Sequence, residues 1–79
     1  MLLSNIQFKS EYSIFSIDKE MSEITKNKLH SLNFKAGAKI RLVAKDKFSM
    51  VIETSGTKIV LNKNVSDLVE VQKVWIIIL

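Results

Sequence analysis

His30 is the one histidine in this chain of 79 residues, and there is no cysteine. Thiolate zinc and iron–sulfur sites are therefore excluded, and no histidine pair can form for a metal. No acidic residue stands four positions from His30 on either side. It reads as a helix-end residue whose partial positive charge suits the helix dipole. Asp18, Glu20 and Glu23 are a loose acidic group, and carboxylates near a helix start are expected on the same grounds. The sequence lacks a phosphate-binding glycine loop, a His-Glu-x-x-His pair and a nucleophile elbow. An enzyme is not expected, and neither is a bound cofactor.

Binding chemistry is better represented. Twelve basic residues against eight acidic give a net charge of +4. Eleven of the twelve are Lys, with Arg41 the exception. Lys39, Arg41, Lys45, Lys47 and Lys58, with Trp75 as a stacking ring, could line a groove for single-stranded nucleic acid. Phosphate and base readout leans on Arg and on interleaved aromatics, which are few here. Nucleic acid is therefore the alternative reading, one that a steep loss of affinity with salt would mark.

These residues need elements to position them. The length allows one domain, residues 1–79, with a modest core. There is no proline and there are two glycines, which argues against linkers and disordered tails. No signal peptide is apparent, and the longest apolar run, from Val74 to Leu79, is too short to span a bilayer. Residues 3–17 read as one or two short strands with a bend near Lys9–Glu11. A helix follows from about Ser22, its expected N-cap, to Leu32. Asn33 tolerates the left-handed backbone that ends many helices, Phe34 folds back, and Gly37 admits the turn into a strand. Strands are expected at 38–45, 48–54 and 57–62, with Ser55-Gly56 a tight hairpin loop and 63–67 a short connection. A last strand runs from Leu68 to Trp75 or beyond.

Parity assigns the faces. Ile40, Leu42 and Ala44 point inward, as do Phe48, Met50, Ile52, Ile59, Leu61, Val69 and Val71, with Leu29, Leu32 and Phe34 capping them. Outward stand Lys39, Arg41, Val43, then Val51 and Glu53, then Lys58 and Val60. In aligned register, Val43, Val51 and Val60 make an apolar strip with Lys39, Arg41 and Lys58 on its rim. The strip is either a set of scattered β-formers on a solvated sheet or a docking surface. The segment from Val74 to Leu79 has two readings as well. It either extends the last strand within the molecule or pairs between molecules, as in a homo-oligomer. Five to six short strands with one short α-helix match a mainly β fold, a small SH3-like β-barrel.

The order of these signals resembles the ferrous iron transport protein A (FeoA) family. The resemblance rests on the helix end Leu29-His-Ser-Leu32-Asn33-Phe34-Lys-Ala-Gly37, the hairpin of 48–54 with 57–62, the closing segment 64–71 and the opening Leu3-Ser-Asn-Ile6. Asn33 stands where the family usually has Gly, Ala36 where Pro is common, and Ser10 or Glu11 where an early Gly is usual. The resemblance implies an SH3-like barrel in the cytoplasm. It implies an accessory or regulatory binding module for a ferrous iron permease that carries a cytosolic G-protein domain, with the membrane reached only through that partner. It does not imply that the protein itself carries iron. The partner-contact residues would be Val43, Val51, Val60, Lys39, Arg41, Lys58 and Trp75. A similar barrel occurs in iron-dependent repressors, but this chain has no room for their DNA-binding helices.

Overall fold

A computed structural model of the chain describes residues 1–75. Five antiparallel strands form one sheet: β1 (Glu11–Ile17), β2 (Lys39–Lys45), β3 (Ser49–Thr54), β4 (Thr57–Asn62) and β5 (Val69–Lys73), in the spatial order β4-β3-β2-β1-β5. The helix α1 (Glu23–Ser31) lies between β1 and β2, and a single helical turn, α2 (Lys63–Ser66), joins β4 to β5. The sheet curls over its core, and among the described residues it is not closed, with β4 and β5 as its edges.

Capping and turn chemistry explain the element bounds. Ser22 Oγ accepts the Thr25 amide at 3.2 Å and starts α1. At its other end the Phe34 amide donates to the Leu29 carbonyl (2.9 Å) and the Asn33 amide to the His30 carbonyl (3.0 Å). This is a Schellman closure, with Asn33 at φ 69° as the left-handed residue. It folds Phe34 back beside Leu29, and both are buried. Ser55 (φ 50°) and Gly56 (φ 79°) make the two-residue β3–β4 loop, both left-handed as its twist requires. Asn62 Oδ1 accepts the Val65 amide at 2.9 Å and starts α2, an α-helical turn.

The core joins Tyr12 and Ile14 of β1 to Ile40 and Leu42, Met50 and Ile52, Ile59 and Leu61, and Val69 and Val71. Leu3, Ile6, Met21, Leu29 and Phe34 close it from outside the sheet. Four expectations need correction. Residues 3–8 form no strand: a 3₁₀ turn at Leu3–Asn5 lets Leu3 and Ile6, three apart, both bury, and leaves Phe8 exposed. Ala44 is exposed, because Val43 and Ala44 together oppose Val51, and this bulge turns the rest of β2 over. Phe48 is 72% exposed, because Asp46 captures the Phe48 and Ser49 amides (2.7 and 2.9 Å) and holds the chain in a turn until β3 begins. Leu32, past the end of α1, is 37% exposed and sits at the margin of the core. A second bulge, where Phe15 and Ser16 oppose Glu70, interrupts the alternation of β1 before Ile17.

Candidate docking face

The outer face of the sheet carries the residues singled out from sequence. Val51 pairs directly with Val60, and the bulge sets Val43 and Ala44 opposite Val51. The three valines are thus neighbours on one face, with Val60 69% exposed, Val43 40% exposed and Val51 half-buried between flanking strands. Ala44 joins them, which simple parity had put inside.

Two residues further along the strands, the same face carries a row of alternating charge. Lys58 pairs with Glu53, Glu53 with Arg41, and Arg41 with Glu11, across four strands. Arg41 Nη2 donates to Glu53 Oε1 at 2.8 Å. This hydrogen bond, helped by the charge of Glu53, raises the Arg41 pKa further above its ordinary value. Two of the three cations expected on the rim, Arg41 and Lys58, therefore flank an acid. The sequence put Glu53 on this face with the cations but not Glu11, which a register-aware reading of odd positions in β1 would have found. Lys39 is exposed opposite Ser13, beyond the charge row. Trp75 is not part of the strip. It follows β5, 74% exposed, with Lys73 Nζ 4.7 Å from its ring centroid.

The basic residues of the nucleic-acid reading do not converge. Lys45 Nζ donates to the Ser4 carbonyl and Lys47 lies over the exposed Phe48 ring at 5.7 Å, at the β2–β3 turn. Lys39, Arg41 and Lys58 are on the outer face. Among the described residues, no three His, Asp or Glu side chains come together as a metal site. No helix among them is long and apolar enough to cross a membrane. The expected run of strand beyond Trp75 lies outside the described residues; the Val74 amide donates to the Glu11 carbonyl at 2.8 Å.

A curled five-stranded antiparallel sheet with one helix inserted after its first strand is the SH3-like class of fold. The FeoA domain family model matches residues 1–73, and the chain belongs to the FeoA family, which is implicated in ferrous iron transport. Iron(II) transport protein A from Clostridium thermocellum is 28% identical, with a TM-score of 0.79 over 94% of this chain and 46% of that one. FeoA from Chlorobium tepidum is 16% identical, with a TM-score of 0.82 over 95% of this chain and 71% of that one. Stenotrophomonas maltophilia FeoA complexed with zinc, described as a prokaryotic SH3 domain protein, is 21% identical, with a TM-score of 0.78 over 91% and 89% of the two chains. No curated protein sequence matches the chain.

Proposed function

We propose that this protein is a cytosolic accessory module of ferrous iron transport that docks a cytosolic segment of an iron permease carrying a G-protein domain. It acts by binding rather than by catalysis. The observation that supports this reading is the apolar patch of Val43, Val51 and Val60, flanked on the same face by the charge row of Lys58, Glu53, Arg41 and Glu11. Arg41 and Glu53 satisfy one another and Lys58 stands opposite Glu53 in register, so the row adds little net attraction but penalises a partner that leaves it dry and unpaired. The valines supply area to bury, and the row beside them sets register.

The test is capture from native membranes with tagged protein, with bound proteins identified by mass spectrometry, against a Val51→Asp control. Val51 faces away from the core, so Val51→Asp is expected to melt cooperatively with its circular dichroism spectrum intact. Recovery of a G-domain metal permease by the parent and its loss with Val51→Asp are expected. Equal recovery by both would move the docking surface elsewhere, and recovery of only ribosomal or nucleic-acid material would favour the alternative function.

A further inference from the structure

The two edges of the sheet are treated differently. Beside β5, the Val71 amide donates to the Met1 carbonyl at 2.7 Å and Leu2 bridges to Glu70, so residues 1–2 cover that edge. Beside β4, no described strand pairs. The Thr54–Thr57 pair flanks a two-residue loop and so exchanges hydrogen bonds, and every second pair after it does the same. The Lys63 amide donating to the Phe48 carbonyl at 2.9 Å, six residues along, keeps that phase. Ile59 and Leu61 therefore turn their backbone groups to β3, while Lys58 and Val60 turn theirs to the open side. Natural edges are usually blunted by charge, proline or a bulge. The β3–β4 register is unbroken, and Lys58 is the only charge in β4. Between this edge and α1 runs a groove of about 490 Å³ whose lining includes Ile24, Leu32, Val60 and Val65. Ile24 is 83% exposed on the helix side of it.

The chain itself contains a segment of matching chemistry. Residues 75–79 are Trp-Ile-Ile-Ile-Leu, without charged side chains and rich in β-formers. Their own β4 is a poor target. Val74 is held at β1 by its amide bond to the Glu11 carbonyl, toward the opposite end of the strand order from β4. The four residues past Trp75 span at most about 14 Å when fully extended. Pairing along β4 would need all of them, so none is left to carry the chain there.

We propose that β4 receives residues 75–79 of a second copy of this chain as an added strand, lying in the groove between β4 and α1. The contact joins two different surfaces, so two reciprocal contacts close a two-fold dimer and unreciprocated ones run on as a chain of subunits. This self-association is independent of the transport reading and is tested without any permease.

Sedimentation velocity of the full chain across a concentration range is the experiment, with Val60→Pro, Ile77→Lys and an equimolar mixture of the two. Proline at 60 removes only an amide that points off the sheet, which edge strands tolerate. The parent is expected to associate with rising concentration and each variant alone to stay monomeric. The mixture is expected to form a heterodimer through the one intact edge and one intact tail. A monomeric parent at all concentrations, or association unchanged by Val60→Pro, would overturn the proposal. Should Val60→Pro unfold, hydrogen exchange at the Lys58 and Val60 amides decides. Exchange slowed about tenfold at nine-tenths occupancy, increasingly so with concentration and only with the parent tail, supports it. Rapid exchange, or protection independent of concentration as an own-chain tail would give, overturns it.

Discussion

Asn33 holds a left-handed backbone at φ 69° where α1 ends, and its side-chain Nδ2 donates to Ser55 Oγ at 3.2 Å in the β3–β4 loop. A β-branched residue there meets the steric cost of that conformation, so Asn33→Val is expected to destabilise the fold by about 1–2 kcal/mol, while Asn33→Gly melts close to the parent; urea unfolding of the two variants checks this. Asp46 works through charge. Its carboxylate is held below the usual range by the Phe48 amide first and the Ser49 amide next, and Asp67 is held low by the Ser4 hydroxyl first and then Lys63. A carboxyl whose pKa is lower folded than unfolded contributes stability fully above its unfolded pKa of about 3.9, and that contribution is lost as pH falls through the folded value. The urea midpoint is therefore expected to drop as pH goes from about 5 toward 2. Asp46→Asn, which keeps an acceptor but cannot titrate, is expected to flatten that slope.

At the scale of elements, the sequence was most readable where local chemistry settles the backbone. Ser22 as cap, Asn33 as stop, Gly37 (φ 91°) as turn and Ser55-Gly56 as hairpin loop all occupy the places their side chains favour. The alternation of β3 and β4 carried over intact because those strands pair without a bulge. It failed in β2, where one extra residue shifts the faces, while in β1 a bulge after Ile14 sets Ile17 off the alternation. A bulge is decided by pairing with a distant partner, Val51 for β2 and Glu70 for β1, and no local residue type announces it. Phe48 was assigned inward for a related reason: its apolar character fits a strand, but the side chain of Asp46 offers its amide a competing hydrogen bond. The outward position of Val43, Val51 and Val60 was legible by parity. The neutralisation of Arg41 was not, because Glu53 and Glu11 become its neighbours only once β1, β2 and β3 are in register.

For the molecule as a whole, the absence of proline has a kinetic consequence. No peptide bond in the chain needs slow prolyl isomerisation, so refolding after long or short times in denaturant is expected to follow the same single phase, without a component lasting tens of seconds. Stopped-flow double-jump measurements check this. The strand order has a consequence of another kind. β2, β3 and β4 are consecutive hairpins that can zip locally, whereas β1 must wait for β5, which follows every other element in sequence. On a ribosome β1 is therefore made early and left with one flank bare, its Tyr12 and Ile14 core side only partly covered, until β5 has cleared the exit tunnel. The interval between the emergence of β1 and that of β5 thus sets how long a nascent chain displays an unmatched strand to its neighbours.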